Sequence, residues 1–325
     1  MALRLIEIVL PEKSAEEVRE FLKEHEVLEH RLLRLLNGDV LVRILLDAEQ
    51  TEAILDILAK HNPITDDNRV VILPVEATLP RAIKVPATEQ GQKTQVRISR
   101  EELYEDIKES TRCSWVYLAM IVLSTIVASV GLHNNSVAII IGAMVIAPML
   151  GPSMALALGT TLGDLSMLWS AILTGLAGIV TVMILSTIIG AVVHVDPTMP
   201  EVALRISVGW GDILVALASG CAGAIAFTTG VSATLIGVMV AVALLPPLVT
   251  FGLLLGAGYP EFATGALSLF LINLVCVNIA AVAMFLVQGI HPLSWYEKDL
   301  AKKATRVAIL LWVTMLVVLC FLMVL

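Results

Sequence analysis

Two segments of similar sequence decide the fold of this chain. Residues 134–152 read NNSVAIIIGAMVIAPMLGP and residues 229–247 read TGVSATLIGVMVAVALLPP, so the motif Ile-Gly-x-Met-Val occurs at 141–145 and again at 236–240. Further pairs share the same offset of about 95 positions: Trp115 and Trp210, Ser124 and Ser219, Leu150 and Leu245, Pro152 and Pro247, and Pro197 and Pro292. Because tryptophan and proline recur on both sides of the motif, chance similarity between apolar stretches is a poor explanation. The chain contains an internal repeat.

The sequence around the two segments is apolar enough to cross a membrane. Hydrophobic residues make up 58% of the chain and charged residues 15%, whereas a soluble domain carries about 25% charged residues. Between Trp115 and Ile290 the few charged residues lie between the apolar runs: Asp164, Asp196, Glu201, Arg205, Asp212 and Glu261. Since about 20 apolar residues cross roughly 30 Å of hydrocarbon, the runs predict about seven transmembrane helices. These are expected near 113–132, 135–158, 166–193, 204–227, 231–256, 262–288 and 305–325.

The repeat predicts how the helices are inserted. Residues 113–200 form a first unit of three helices, and residues 201–292 form a second. An odd number of crossings forces the second unit to enter the membrane upside down, which is a recurring architecture of secondary transporters. Residues 293–325 then supply a cytoplasmic loop and a seventh transmembrane helix.

Residues 1–80 are predicted to form a soluble α+β domain with the element order β-α-β-β-α-β. Asn37-Gly38 favours a tight hairpin turn between the second and third strands, and Ser14 with Glu17 predicts a capping box at the start of the first helix. The order is that of a ferredoxin-like split β-α-β fold, which serves for assembly or for regulatory ligand binding. Residues 81–112 are read as a linker and an amphipathic helix that opens with a second capping box, Ser99 with Glu102.

Basic residues predict the orientation, because cytoplasmic loops carry the excess of Lys and Arg. They precede the first helix (Arg97, Arg100, Lys108 and Arg112) and separate the sixth from the seventh (Lys298, Lys302, Lys303 and Arg306). We therefore expect a multi-pass protein of the plasma membrane with its N-terminus in the cytoplasm and its C-terminus outside. No basic stripe points to nucleic acid, and no residue spacing points to a metal or a cofactor.

Prolines interrupt the middle helix of each unit. The first unit has Pro148, Gly151 and Pro152, and the second has Pro246 and Pro247. Proline removes an amide donor and clashes with the preceding turn, so both helices are predicted to kink or break. Freed carbonyls are tolerated in a membrane only inside protein or beside a watery cavity, so the breaks indicate either a site between the two units or ordinary kinked packing.

Polar residues lie at matching places in the two units and are the remaining candidates for a solute or ion path. They are Asn134, Asn135 and Ser136 before the second helix, Thr228, Thr229 and Ser232 before the fifth, and Asn273 and Asn278 within the sixth. The first two groups act as helix caps or as a solute contact, and the two asparagines act as hydrogen-bonding links between helices or as a solute contact. Asp212 is the candidate acid for coupling to a cation or proton, unless it lies at the membrane interface.

The run from Asn134 to Pro152 strongly resembles the prokaryotic membrane-protein family known as domain of unknown function 389 (DUF389). The similarity extends from the N-terminal domain through the sixth helix. It implies a membrane-embedded protein, and it brings no substrate and no catalytic residues to this sequence.

These features favour a transporter or channel-like protein that moves a small solute or ion between the two units. The alternative is a membrane-anchored sensor or scaffold whose ferredoxin-like domain binds a ligand or partner. We do not expect an enzyme, because the helices contain no nucleophile motif, no zinc motif and no paired aspartates. The expected partners are the lipid bilayer, a small solute or ion, and further copies of the chain in a homo-oligomer.

Overall fold

The computed structural model describes residues 3–24, 27–61, 69–75, 78, 98–193, 195–229, 233–290 and 314. It forms two compact units, Met1–Leu103 and Tyr104–Leu325. The predicted linker 81–97, the candidate Ser232 and, apart from Thr314, the predicted loop and seventh helix at 293–325 lie outside the described residues.

The first unit is a four-stranded antiparallel sheet with two helices. Its elements are β1 (Leu3–Pro11), α1 (Glu12–Glu24), β2 (Glu29–Arg34), β3 (Asp39–Asp47), α2 (Ala48–His61) and β4 (Val70–Val75). The strand order is β2-β3-β1-β4, so β1 lies between β3 and β4 and is separated from β2. The predicted order of strands and helices is confirmed, and so is the separation that defines a split β-α-β arrangement.

Alternation along the strands decides which side of the sheet carries the core. Ile6, Ile8 and Leu10 of β1 are buried, and they share one core cluster with residues of α1 and α2 such as Val18 and Leu58. The intervening residues of β1 are more exposed. One face of the sheet is therefore covered by the helices of its own unit, and the other face is open.

Local signals in the first unit were predicted with mixed success. The hairpin after β2 is confirmed, but as a four-residue connection, 35–38, in which Gly38 has φ +91 and donates to the Leu35 carbonyl at 3.2 Å. The capping box at Ser14 is wrong, because α1 begins at Glu12 and Ser14 lies inside it. Ser99 does accept a hydrogen bond from the Glu102 amide at 3.3 Å.

The second unit is helical. After α3 (Arg100–Ser110) come α4 (Trp115–His133), α5 (Val137–Ile146), α6 (Leu150–Leu162), α7 (Leu165–Val192), α8 (Pro200–Ala203), α9 (Trp210–Thr229), α10 (Ala233–Gly256) and α11 (Pro260–Val287). Among the described residues, α4, α7, α9 and α11 are the four helices long and apolar enough to cross a membrane, and counting the bent pair α5–α6 as one span makes five. α10 contains the shorter apolar stretch Ala243–Gly256. Large apolar side chains such as Trp115, Leu173 and Trp210 are exposed on these helices, as lipid-facing surfaces are.

The helix boundaries recur with the offset found in the sequence. Trp115 begins α4 and Trp210 begins α9. α7 and α11 are both 28 residues long and begin at Leu165 and Pro260, again 95 positions apart. In the first repeat, residues 113–200, the second helix is the pair α5–α6, and it corresponds to α10 in the second repeat, residues 201–292.

The two middle helices form the centre of the bundle. α6 is buried along nearly all of its length, and so is the part of α10 from Ala243 to Leu254. α7 packs against α6 and also against α10, while α11 packs against α10 and also against α6. Gly190 permits the close approach of α7 to α10, because a side chain there would overlap the Leu253 carbonyl oxygen.

Three contacts show which helix ends lie together within this unit. At one end, the Tyr104 hydroxyl donates to Asp164 Oδ2 at 2.7 Å, so the residues before α4 lie beside the start of α7. At the other end, the Glu201 amide donates to Asn135 Oδ1 at 3.0 Å, and Gly265 near the start of α11 lies against the Ile206 carbonyl. The pair α5–α6 therefore returns the chain to the end of the bundle at which α4 begins.

Candidate functional site

The break between α5 and α6 is the main irregularity inside the bundle. The two helices meet at a bend of 54°. Ala147 is extended, with φ −69 and ψ 116, because the ring of a following proline disfavours the helical conformation. Ser124, at the middle of α4, donates to the Ala143 carbonyl at 2.8 Å, which places the break about half-way along the bundle. The interruption predicted at Pro148 is confirmed.

Gly151 and Pro152 begin α6 on the far side of the break, and both are buried. A Cβ atom on Gly151 would lie 2.6 Å from the Ser110 carbonyl oxygen, so only glycine fits against the end of α3. Met149, which precedes α6, provides no side-chain cap, and Pro152 has no amide to donate. The amides at the start of α6 therefore receive no capping side chain from the residue that precedes them.

The corresponding break in the second half is absent. α10 continues as an α helix through Pro246 and Pro247, so of the predicted kink or break the break is not found there. Pro247 cannot donate to the carbonyl of Ala243, four residues earlier. Asn273 of α11 replaces the missing donor, with its Nδ2 at 2.8 Å from the Ala243 oxygen. The side chain of a neighbouring helix thus satisfies the carbonyl that Pro247 leaves without an amide partner.

The two asparagines of α11 leave oxygen atoms inside the bundle. Asn273 is 4% exposed and Asn278 is 0% exposed. The Nδ2 of Asn278 donates to the Leu274 carbonyl at 2.8 Å, so both amide nitrogens are occupied. The Oδ1 atoms of both residues, and Oγ1 of Thr250, are buried without a hydrogen-bond partner among the described residues. Each amide nitrogen is fixed by a carbonyl through one of its two N–H groups, and the atoms left without any partner are the two Oδ1 acceptors.

The predicted residues before the second helix form a turn at the end of the bundle. Asn135 has φ +50, a left-handed conformation that asparagine tolerates, and its Oδ1 accepts from the amide of Glu201 at the start of α8. Asn134 ends α4, and Ser136 precedes α5 without making a side-chain cap bond. The structure gives Asn135 a capping contact and brings none of the three to the break.

The remaining candidates are also satisfied locally. The hydroxyls of Thr228 and Thr229, at the end of α9, donate to carbonyls one turn earlier in the same helix. Asp212 lies in the first turn of α9 and accepts from the Gly209 amide at 2.8 Å, so it caps the helix at the end of the bundle. Asp212 therefore lies at the start of α9 and not in the middle of the helix.

Sequence reasoning missed two polar contacts that shape the ends of the bundle. Glu201 and Arg205 form an ion pair of 2.9 Å in the loop before α9, with both side chains largely buried. Asp164 caps α7 and accepts the Tyr104 hydroxyl, and burial together with this bond raises the pKa of Tyr104 to about 12. Asp164 directly before an apolar run is a cap signal in the sequence, whereas its tyrosine partner 60 positions away is not visible there.

The helices just described carry the similarity to known proteins. Residues 144–279 match the domain of unknown function DUF389. An uncharacterized protein from Methanocaldococcus jannaschii is 39% identical over 283 residues, covering 86% of this chain and 87% of the relative. The chain belongs to the DUF389 family. No solved structure matches it.

The residues that match the family include the irregular and polar positions inside the bundle. The DUF389 match runs from Met144 to Ile279 and so contains the break at Pro148, the prolines of α10 and both buried asparagines. Neither the family description nor the relative identifies a substrate. Among the described residues, no group of three or more His, Cys, Asp or Glu side chains could hold a metal ion.

Proposed function

We propose that this DUF389 protein is a transporter or channel-like protein that moves a small solute or ion through its helical bundle. The observation that carries the proposal is the break at Pro148 half-way along the bundle, in the same unit as buried acceptor oxygens on α11. Irregular backbone and unpaired polar atoms are costly in hydrocarbon, and membrane proteins tolerate them where they line a path.

An inverted repeat supports the proposal. The first repeat, 113–200, and the second repeat, 201–292, have helix starts 95 positions apart. α7 begins at the end marked by the Tyr104–Asp164 bond, whereas α11 begins near Ile206 at the opposite end. Equivalent helices running in opposite directions are expected of inverted halves, and transporters bind their substrates between such halves.

We further propose seven transmembrane spans. Six are α4, the bent pair α5–α6, α7, α9, α10 and α11, and the apolar run at 305–325 would be the seventh. The bend of 54° turns the chain by less than a right angle, which supports counting the pair α5–α6 as one span. In this arrangement the plasma membrane holds the N-terminus on the cytoplasmic side and the C-terminus outside.

The polarity of the buried atoms favours a particular class of solute. The unpaired side-chain atoms of Asn273 and Asn278 are acceptors. The one lysine or arginine between Trp115 and Ile290 is Arg205, which pairs with Glu201 at the end of the bundle. An anion would be repelled by these two oxygens and would find no positive side chain at mid-bundle, whereas a cation or a solute with N–H or O–H groups would complete the bonding of the oxygens. We therefore propose a small cation or hydrogen-bond-donating solute.

Flux into proteoliposomes, measured with a broad panel of solutes, tests the function. Purified full-length protein in liposomes is mixed rapidly with hyperosmotic salts or polyols, and vesicle reswelling is followed by light scattering. We expect reswelling faster than in empty liposomes for at least one solute, and at least a tenfold loss in Pro148→Ala, which restores the missing amide at the break. Pro200→Ala is the matched control, because Pro200 begins the short helix α8 at the end of the bundle.

The panel also tests the solute class. Potassium, ammonium and sodium salts of an impermeant anion are compared with chloride salts of an impermeant organic cation, and with neutral polyols. A protonophore is added throughout, because an ion that enters without a compensating charge builds up a membrane potential and causes no net solute entry. Flux that follows the cation or the polyol supports the class proposed, and flux that follows chloride overturns it while leaving transport intact. If folded protein moves none of the panel, transport itself fails.

The alternative function, a membrane-anchored sensor or scaffold, has its own supporting observation. The open face of the first unit's sheet holds a shallow cavity of about 160 Å³, lined by Leu5, Glu29, Arg31, Arg43 and Leu45. Small-molecule sites usually enclose roughly 300–1,000 Å³, so the cavity is small for a ligand pocket. Binding of a partner across the whole face is the form of this alternative that the geometry favours.

A further inference from the structure

The face of the sheet that its own helices leave open is largely apolar. β1 contributes Leu5 and Val9 to this face, and β3 contributes Leu41 and Leu45. The neighbouring strands add side chains that are strongly exposed: Leu33 at 45%, Val71 at 41% and Leu73 at 41%. Single exposed leucines are ordinary on a protein surface, but a contiguous apolar face is typical of an interaction site.

The strand register arranges the open face in rows that run across the sheet. One row is charged in its centre and reads, from β2 to β4, Arg31, Arg43, Glu7 and Val71. The rows on either side are mainly apolar: Leu33, Leu41 and Val9 on one side, and Glu29, Leu45, Leu5 and Leu73 on the other. Within the charged row, Arg43 Nε lies 2.6 Å from Glu7 Oε1, and both side chains remain partly exposed.

We propose that this open face binds the open face of a second copy of the chain, about a two-fold axis that runs parallel to the strands between β3 and β1. With such an axis, each row of one copy lies opposite the same row of the other copy. β3 of one copy then lies opposite β1 of the other. Arg43 then faces Glu7 of the second copy, while Leu45 faces Leu5 and Leu41 faces Val9. The four central charges form an alternating ring, and the apolar rows pack on both sides of it as in aligned sheet packing.

Charge argues against a second two-fold axis that would also permit face-to-face packing. An axis perpendicular to the strands, centred on the charged row, would place Arg43 of one copy against Arg43 of the other. Like charges in contact at an interface are strongly unfavourable. The axis parallel to the strands is the one that the positions of Arg43 and Glu7 favour.

The contact area is small, which predicts that the two faces associate weakly. Four strands about 4.8 Å apart and about six residues of length bury roughly 400 Å² on each copy. Stable interfaces bury at least about 1,200 Å² in total, so the faces alone would associate weakly and reversibly. Anchoring in one membrane raises their effective concentration and favours the pair.

Charge reversal in the full-length protein tests the pairing. Two differently labelled populations are reconstituted in liposomes, and energy transfer between N-terminal fluorophores reports proximity. We expect Arg43→Glu alone and Glu7→Arg alone each to reduce energy transfer at least fivefold, because each creates like-charge contacts across the axis. Mixing the two variants places the two carboxylates of one copy opposite the two guanidinium groups of the other, and should recover at least half of the signal.

Recovery on mixing is the decisive result, because a charge pair that acts only within one copy stays broken in the mixture. No loss in the single variants, or loss without recovery, overturns the proposal. Arg19→Glu on α1 is the control, since Arg19 lies on the helix layer away from the open face.

Cross-linking tests the axis independently. Sheets packed face to face lie about 10 Å apart, too far for a disulfide between facing residues, so a short bis-maleimide is used. In a background without native cysteines it should join a copy with Leu45→Cys to a copy carrying Leu5→Cys, and failure to cross-link counts against the axis. Flux plays no part in these readouts, so the pairing and the transport proposal fail separately.

Discussion

At the residue scale, Asn273 joins α10 and α11 by a bond that the sequence of α10 makes necessary. Its Nδ2 donates to the Ala243 carbonyl, which Pro247 leaves without an amide partner. We expect Asn273→Leu to destabilise the protein by roughly 1–3 kcal/mol, because a buried carbonyl loses its bond. Unfolding of the purified protein in mixed detergent micelles measures the change.

A second substitution tests whether Pro247 is the reason that the loss of Asn273 destabilises the protein. Pro247→Ala supplies a backbone amide for the Ala243 carbonyl, so Asn273→Leu should cost clearly less in that background than in the natural one. Asn278→Leu is the matched control, since Asn278 donates to its own helix and should show no coupling to residue 247. Equal costs in both backgrounds would contradict this account of Asn273.

A second prediction concerns Tyr104 and Asp164. Burial first, and the bond to Asp164 second, raise the pKa of Tyr104 from 10.0 to about 12. A group whose pKa is raised by folding stabilises the native state fully below its unfolded pKa and loses that contribution as pH rises through the folded value. The stability advantage of the natural protein over Tyr104→Phe, about 1 kcal/mol for a partly exposed bond, should hold below pH 10 and vanish between pH 10 and 12.

Unfolding free energies of the two proteins at a series of pH values test this point. Tyr259→Phe, at the start of α11, is the control for general effects of alkaline pH on tyrosine. An advantage that is independent of pH up to 12 would argue against the Tyr104–Asp164 bond.

At the scale of elements, the contact of α7 with α10 depends on glycine. A methyl group at Gly190 would overlap the Leu253 carbonyl, whereas at Gly175 of the same helix the nearest atom is Cβ of Pro152 at 3.7 Å. We expect Gly190→Ala to destabilise the protein by about 1–3 kcal/mol through overpacking, and Gly175→Ala to leave it unchanged or slightly more stable. Thermal unfolding of both variants side by side makes the comparison, and similar melting temperatures would refute the close-packing argument.

The elements also show how far sequence reasoning reaches. The break at Pro148 could be predicted because a proline acts on the residue before it, and that effect is local. The continuity of α10 through Pro246 and Pro247 could not, and neither could the bond from Asn273 to the Ala243 carbonyl, 30 residues away. The same limit applies to Asn135, whose partner Glu201 is 66 residues distant and whose capping role appears only in the folded bundle. The capping box predicted at Ser14 was wrong for a local reason, since α1 starts two residues before the predicted cap.

At the scale of the whole molecule, the proposed inverted repeat makes a prediction about sidedness. Ser166 and Glu261 occupy equivalent positions near the starts of α7 and α11. In a background without native cysteines, we expect a membrane-impermeant maleimide to label Glu261→Cys in intact cells and to label Ser166→Cys only after permeabilisation. Labelling of both from the same side would exclude inverted halves, and the reverse pattern would keep the halves inverted and change the orientation of the protein.

The packing of each middle helix against the third helix of both halves bears on the origin of the molecule. The middle helix of a single half made on its own would lack the third helix of the other half as a packing partner. A second copy of the same half, inserted in the opposite direction, would supply that helix. Arg205 is the one lysine or arginine from Trp115 to Ile290, so such a half carries little information about which way to insert. An ancestral gene for one half could thus have produced a dual-topology homodimer, and fusion of two gene copies would then guarantee that every molecule contains one half of each sense.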